Sequence, residues 1–332
     1  MNTIHSGSPS DPCPRHILNK ASSIIAPQLR KIINRCFESA TFPESWKHAE
    51  INALLKKPRV DPKDLKNFQP SSLLPLPAKV IEKAVNRQLS RFLEENCTLD
   101  PSQSGFHSNH NTETALIAAT NDIRTILGNG ETMALILLDL SATFNTVCHH
   151  TLRSRLSNAG ICDRTLDWVT SFLTGRTQRD HLNPFCLEAT KIICGVPGVR
   201  PPSRTIFNVY VDLLANIARS HNLNIISYAD DTQLILSLTK DSAKINLHEG
   251  MKAIAKWIKS SSLKLNSDKT EVLIFGSTPS AWDDSWLSAT LGAAPTPTDH
   301  TRNLGFILDS SLSMTQQVNA IFSSCFNTLH ML

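Results

Sequence analysis

The sequence has no long hydrophobic run and almost no excess of charge of one sign. Its best apolar stretch, residues 133–138, is broken at once by Asp139, far short of the roughly 18 residues that cross a bilayer. The N-terminus lacks the apolar core of a secretory signal, so we expect the chain to remain inside the cell. The 33 basic and 29 acidic side chains leave a net charge of +4, which by itself does not indicate a nucleic-acid partner.

Paired cysteines are absent as well. The eight cysteines are scattered and form no C-x-x-C motif, so they indicate neither a zinc ribbon nor a disulfide framework. We expect free thiols in a reducing compartment. Apolar residues make up 41% and charged residues 19% of the 332, an ordinary globular composition in a chain long enough for one large domain or two smaller ones.

Hydrophobic spacing predicts alternating helices and strands. Apolar residues recur every three or four positions, as in amphipathic helices, over residues 17–42, 76–93, 165–175 and 247–266. Short apolar runs of the kind found in strands occupy residues 49–57, 133–140, 223–236 and 269–276. This order predicts an α+β fold in which helices pack on one side of a mostly antiparallel sheet.

Two adjacent aspartates interrupt the run 223–236. Asp230 and Asp231 lie between the strings IISYA and TQLIL, where like charges repel each other unless a cation lies beside them. A solvent-facing hairpin turn is the ordinary alternative, because aspartate is common in turns. Asp139 favours a cation site, since it ends a buried strand that can neighbour the hairpin. Three carboxylates on adjacent strands can hold two Mg²⁺ ions about 4 Å apart, as phosphoryl transfer requires.

At these residues the sequence resembles reverse transcriptases of LINE-type (non-LTR, jockey-like) retrotransposons. YADD at 228–231 and LLDLSATF at 137–144 carry the signature. Further similar segments follow in family order: TFPESWKHA (41–49), KNFQPSSLLP (66–75), QSGFHSNHNTETAL (103–116), CGVP (194–197), SSLKLNSDKTEVLIFG (261–276) and RNLGFILDSSLSM (302–314). The resemblance implies an RNA-directed DNA polymerase with two Mg²⁺ ions, which joins deoxynucleoside triphosphates (dNTPs) to a DNA primer on an RNA template.

The resemblance also implies a right-hand polymerase with fingers, a ferredoxin-like palm and a truncated thumb. Residues 1–40 are then a linker and helix left from an upstream part of a polyprotein. Residues 41–312 form the reverse-transcriptase domain, with fingers at about 41–130 and palm at about 131–312, and residues 313–332 begin the thumb. A nuclear or cytoplasmic ribonucleoprotein is the implied location, with no membrane partner.

Catalytic roles follow from the same resemblance, residue by residue. It makes Asp139, Asp230 and Asp231 the metal ligands, and Lys269 the group that protonates or neutralises the departing pyrophosphate. The alternative for Lys269 is an exposed lysine at a strand start. Phe144 has a role in the next set of residues, and its alternative is a core position on a short helix. The resemblance assigns substrate contacts to three further residues: Leu140, whose carbonyl adds a metal ligand, Tyr228, and Phe144, whose ring excludes a ribose 2′-hydroxyl.

Nucleic-acid contacts are expected at two places. Leu304 and Gly305 match the primer-grip turn of the family. Residues 30–91 carry 13 basic and 6 acidic side chains, a local excess that the whole-chain charge conceals. A cluster within this segment is expected to contact phosphates: Lys56, Lys57, Arg59, Lys63 and Lys66.

Several positions depart from the family pattern. Gln69 and His107 stand where the family typically has arginines of the fingers, and Asn111 stands where it has serine. Residues 198–205 keep the family spacing but not its residues, which we interpret as two compensating frameshifts; the pair Pro201-Pro202 cannot lie inside the helix expected there. These departures leave a second interpretation open, a catalytically inactive retrotransposon-derived fragment that at most binds nucleic acid.

Overall fold

A computed structural model describes residues 11, 15–56, 60–64, 67–141, 143–182, 185–197, 202–239, 242–276 and 297–330. Contacts within the chain divide it into two compact units. The first unit comprises residues 1–98 and 144–210, and the second comprises residues 99–143 and 211–332. None of the helices in the described ranges is long and apolar enough to cross a membrane.

The predicted helical segments are confirmed as helices. In chain order, the helices of the described ranges are α1 (Arg15–Lys20), α2 (Ser22–Glu38), α3 (Leu76–Glu95), α4 (Thr112–Gly128), α5 (Thr143–Thr146), α6 (His149–Asn158), α7 (Asp163–Leu173), α8 (Ser203–Val211), α9 (Leu213–Ser220), α10 (Ala243–Ser260) and α11 (Thr315–Leu329). The segment predicted as one helix from residue 17 onward forms α1 and α2, which are separated at Ala21.

The predicted strand segments are confirmed as well. The strands of the described ranges are β1 (His48–Leu55), β2 (Phe68–Leu73), β3 (Met133–Leu138), β4 (Leu140–Ser141), β5 (Thr177–Leu182), β6 (Phe185–Cys186), β7 (Thr190–Lys191), β8 (Asn224–Tyr228), β9 (Asp231–Ser237), β10 (Lys264–Leu265), β11 (Glu271–Phe275), β12 (Pro297–Thr298), β13 (His300–Asn303) and β14 (Phe306–Asp309).

The first unit contains a sheet in the order β2-β1-β5-β6, with β7 also paired to β5. β1 runs antiparallel to β2 and parallel to β5. Three rings form part of its core: Trp168 and Phe172 stack with centroids 5.5 Å apart, and Phe42 meets both edge-on. The guanidinium of Arg176 lies over Phe42 and Phe172, and burial lowers its pKa to about 10.

The second unit is built on a sheet in the order β12-β11-β3-β9-β8, antiparallel except for the β11–β12 pair. α4 packs on one face with Met133 and Leu135. Ala134 and Ile136 point to the opposite face and are equally buried, so both faces of β3 are covered. The α+β class is therefore confirmed.

The start of α8 bears on the proline pair. α8 begins at Ser203, directly after Pro202, and the Ile206 N–H donates to the Pro202 carbonyl over 3.0 Å. Proline is well tolerated at a helix start because the first N–H groups have no partner within the helix. The helix thus begins after Pro202, and this proline does not lie inside it. Residues 198–201 lie outside the described residues, and the frameshift hypothesis stays a prediction.

Candidate active site

The hairpin of β8 and β9 presents the paired aspartates. Tyr228 and Asp231 are opposite each other at the strand ends, so Ala229 and Asp230 form a two-residue loop. Ala229 has a φ of +59°, the left-handed conformation that such turns require at their first position and that glycine usually adopts. Asp230 therefore lies in the loop of the turn, and Asp231 is the first residue of β9.

Asp139 follows β3 at the same end of the sheet. β3 and β9 are antiparallel with Leu138 opposite Thr232, and the next step of this register sets Asp139 opposite Asp231. Asn266 holds Asp139 twice: its N–H donates to the Asp139 carbonyl over 2.9 Å, and its Nδ2 donates to Oδ2 over 3.0 Å. The structure thus places Asp139, Asp230 and Asp231 at the same end of this sheet, and their catalytic role stays a prediction.

The charges of these carboxylates act on one another. Burial raises the pKa of Asp230, and the charge of Asp139 raises it further. Burial also raises the pKa of Asp231 to about 6, with additional contributions from the charges of Asp230 and Asp139. Lys269, whose Nζ lies 3.6 Å from Asp139 Oδ2, acts in the opposite direction on both pKa values. One ammonium therefore faces three carboxylates, which leaves an excess of negative charge.

This donor set suits a hard divalent cation. Carboxylate oxygens are the ligands that Mg²⁺ prefers, and a cation would relieve the repulsion that raises the two aspartate pKa values. Thr143, which is 2% exposed, donates from Oγ1 to Asp230 Oδ2 over 3.4 Å and so restrains one carboxylate. Within the described residues, no three His, Cys, Asp or Glu side chains already converge as a complete metal site. The fit therefore rests on charge and ligand chemistry.

The three predicted substrate contacts lie in different surroundings. Leu140 is buried and pairs with Leu265 through the short β4–β10 ladder. Tyr228 packs against the core of the second unit. Phe144 belongs to the first unit, where its ring lies 4.8 Å from the ring of Phe207. A packed ring was the alternative that the sequence left open for Phe144, and its role as a gate stays a prediction.

The predicted basic cluster is described only in part. Lys56 and Lys63 are exposed, and the N–H of Lys63 donates to Asp61 Oδ1 over 2.9 Å in the loop after β1. The other members lie outside the described residues: Lys57, Arg59 and Lys66. Phosphate binding by the cluster stays a prediction.

The predicted primer-grip turn connects β13 and β14. Leu304 and Gly305 have φ values of +48° and +88°, the pattern of a tight hairpin turn with two left-handed residues. Leu304 packs against the core of the second unit. Asn303 donates from Nδ2 to Gln233 Oε1 over 2.8 Å, and this buried bond ties the hairpin to β9.

Two of the departures from the family pattern have described surroundings. Asn111 caps α4: its Oδ1 accepts from the Thr114 N–H over 2.8 Å, and Thr114 Oγ1 accepts from the Asn111 N–H over 3.0 Å. Asparagine is as good an N-cap as serine, so this replacement preserves the local structure. His107 lies edge-on to His110, with ring centroids 5.4 Å apart.

The residues that hold the aspartates in place are absent from the sequence prediction. Asn266 supports Asp139, and Gln103 binds the backbone of Ala229 through both ends of its carboxamide. Both occur in segments that carry the family resemblance. A single sequence gives no local sign that these side chains face a turn or strand end far away along the chain.

Comparisons with known proteins identify the family to which the chain belongs. A sequence model described as reverse transcriptase (RNA-dependent DNA polymerase) matches residues 55–308. The chain is 25% identical over 254 residues to the RNA-directed DNA polymerase from mobile element jockey of Drosophila melanogaster, covering 74% of this chain and 27% of that protein. The jockey polymerase of Drosophila funebris is also 25% identical, over 301 residues, covering 87% and 32%.

A third relative is the probable RNA-directed DNA polymerase from transposon BS of Drosophila melanogaster. It is 25% identical over 254 residues, covering 73% of this chain and 27% of that protein. The chain thus spans about a third or less of the length of these curated relatives. Because the family match extends over most of the chain and includes all three aspartates, the chain belongs to the reverse transcriptase (RNA-dependent DNA polymerase) family, in its non-LTR retrotransposon branch.

Proposed function

We propose that this chain is the RNA-directed DNA polymerase domain of a non-LTR retrotransposon, which extends a DNA primer on an RNA template. The observation that carries the proposal is the juxtaposition of Asp139 with Asp230 and Asp231 at one end of the second unit's sheet, faced by Lys269. In this proposal the sheet of the second unit belongs to a ferredoxin-like palm, at about residues 131–312. The fingers lie at about residues 41–130, and residues 313–332 begin a thumb.

The three aspartates and the Leu140 carbonyl would hold two Mg²⁺ ions. Bound Mg²⁺ lowers the pKa of a primer 3′-hydroxyl and stabilises charge on the α-phosphate and the leaving oxygen. Asn266 keeps the Asp139 carboxylate oriented, since it binds both the backbone and Oδ2 of that residue. Lys269 is 67% exposed, so its ammonium is accessible to a pyrophosphate leaving group.

The remaining predicted residues would contact the substrate and the nucleic acid. Tyr228 and Phe144 would contact the incoming dNTP, and the exposed lysines of the loop after β1 would contact phosphates of the template. The turn at Leu304 and Gly305 would support the primer end, because its backbone is fixed on the core. A ribonucleoprotein in the nucleus or cytoplasm is the proposed location.

Primer extension tests the proposal. Purified chain with a poly(rA) template, an oligo(dT) primer, dTTP and Mg²⁺ is expected to lengthen the primer. Asp230→Asn should abolish extension, because it removes a carboxylate from the cluster. Asp299→Asn is the matched control, since that carboxylate is exposed and lies outside the proposed site. Equal extension by wild type and Asp230→Asn would contradict the proposed role of the aspartates.

Nucleic-acid binding without synthesis is the second candidate. It is supported by Gln69 and His107, which replace arginines of the family pattern. Filter binding of the same primer–template, run beside the extension assay, separates the two candidates. Tight binding with no extension above the Asp230→Asn background would favour the inactive fragment.

A further inference from the structure

The segment before α4 lies along the strand that leads into the aspartate turn. Ser227 donates its N–H to the Ser102 carbonyl over 2.9 Å, and Ser104 donates to the Ser227 carbonyl over 2.7 Å. These bonds form a short parallel bridge between Gln103 and Ser227. Among the strands of the described ranges, β8 is the last in the order of its sheet, so the segment supplies hydrogen bonds to an edge strand.

Gln103 projects from this bridge onto the turn itself. The residue is only 5% exposed. Its Oε1 accepts from the Ala229 N–H over 2.9 Å and from the Gly105 N–H over 2.9 Å, and its Nε2 donates to the Ala229 carbonyl over 3.2 Å. One carboxamide therefore satisfies both backbone groups of the residue that precedes Asp230.

The backbone of Gly105 also packs directly against the backbone of Ala229. A Cβ atom on Gly105 would lie 2.1 Å from the Ala229 nitrogen and 2.9 Å from the Tyr228 carbonyl carbon. Such distances are impossible for a side chain, so only glycine lets the two backbones meet. Ala229 is thus held by hydrogen bonds and by direct packing.

Ala229 needs these restraints because of its backbone conformation. Its φ of +59° is strained for a residue with a Cβ, and glycine is the usual occupant of that turn position. Strained backbone persists only where the surroundings over-determine it. If Ala229 relaxed, the carboxylates of Asp230 and Asp231 would change direction, because both follow directly in the chain.

We propose that Gln103 is a positioning residue for the polymerase reaction, which fixes the left-handed Ala229 and so aims Asp230 and Asp231 at the metal position. The inference rests on the proposed function. Gln103 acts through the backbone of the turn and needs no contact with substrate. Its loss should therefore weaken metal binding and lower kcat while leaving dNTP recognition nearly intact.

The experiment compares Gln103→Ala with wild type in three measurements: Mn²⁺ affinity by electron paramagnetic resonance of free Mn²⁺, kcat and KM for dTTP in primer extension, and hydrogen exchange of the Ala229 amide. We expect Mn²⁺ affinity to fall about 10-fold or more, as for other residues that orient metal ligands. We expect kcat to fall about 100-fold with little change in KM, and the Ala229 amide to exchange faster. Gln316→Ala, an exposed glutamine on α11, is the control.

Two further variants separate positioning from folding. Gln103→Met keeps the volume of the side chain but none of its hydrogen bonds. It should show the same losses of Mn²⁺ affinity and kcat, and it replaces Gln103→Ala in the comparison if that variant fails to fold. Adding Ala229→Gly to either variant should recover part of the Mn²⁺ affinity, because glycine adopts the left-handed conformation without help. A merely structural role for Gln103 predicts no such recovery.

The outcomes distinguish this inference from the proposed function. Wild-type Mn²⁺ affinity and kcat in Gln103→Met would overturn the positioning role and leave the polymerase proposal standing. A wild-type chain that neither binds Mn²⁺ nor extends a primer would overturn the proposed function and the positioning role with it.

Discussion

Removing one carboxylate from the aspartate cluster should stabilise the metal-free protein at neutral pH. The pKa of Asp231 is raised from 3.8 to about 6, by burial first and then by the charges of Asp230 and Asp139. A raised folded-state pKa means that folding favours the protonated acid. This contribution to stability is present in full below about pH 4 and is lost as the pH rises through about 6. Ionised Asp231 therefore costs stability at neutral pH.

The magnitude follows from the size of the shift. A shift of about 2 units corresponds to about 3 kcal/mol as an upper bound. More than a third of Asp231 is exposed, and solvent screening reduces the expected effect to about 1 kcal/mol. Asp231→Asn should therefore raise the free energy of unfolding by about 1 kcal/mol at about pH 7.5 in EDTA, and the difference should vanish near pH 4.

Urea denaturation followed by circular dichroism measures this difference, with Asp299→Asn as the exposed-carboxylate control. Mg²⁺ should reverse the order, because a ligand at ~100 times its Kd stabilises the folded wild type by about 2.7 kcal/mol and the variant binds it more weakly. If Asp231→Asn is no more stable than wild type in EDTA at about pH 7.5, ionised Asp231 does not cost stability. If the same difference persists near pH 4, it does not come from the charge of Asp231.

Three other perturbations have defined outcomes. Lys269→Gln removes the cation that lowers the pKa of the paired aspartates, so the midpoint of Mn²⁺ binding should move to higher pH, whereas Lys264→Gln should leave it unchanged. Asp309→Asn should lower the free energy of unfolding by about 1–3 kcal/mol in urea titrations, since several N–H and O–H groups of the following loop donate to this carboxylate. Burial raises the Asp309 pKa but these bonds lower it to about 2, so wild type should lose that stability between about pH 4 and 2. Asn111→Ala should cost about 1 kcal/mol in thermal or urea melts, and Asn111→Ser almost nothing.

Local pattern predicted fewer than half of the helices and strands of the described ranges: α1, α2, α3, α7 and α10, and β1, β3, β4, β8, β9 and β11. The run at β3 and the linked strands β8 and β9 are recognisable because each is a short apolar run, too short for a typical helix, and is bounded by polar residues. The same run hides which faces are covered, since a strand buried on both sides has no alternation. The run at β3 therefore predicts a buried strand but not which elements cover its two faces.

The candidate site shows where sequence information ends. Asp139, Asp230 and Asp231 stand out because a carboxylate after an apolar run is locally unusual. Gln103 and Asn266 do not stand out, because their partners lie 126 and 127 residues away in the chain. The left-handed Ala229 is equally hidden, since alanine carries no preference for that conformation. Hydrogen bonds between residues far apart in the chain fix the positions of the Gln103 and Asn266 side chains and the conformation of Ala229.

Template-directed incorporation of a single nucleotide tests directly whether this chain is an RNA-directed DNA polymerase. A primer annealed to four RNA templates that differ only in the first templating base is offered all four dNTPs, one at a time, with Mg²⁺. We predict that the added deoxynucleotide is complementary to the templating base in each case, and that Asp230→Asn adds none. Addition that ignores the templating base, or no addition by the wild-type chain, would contradict it.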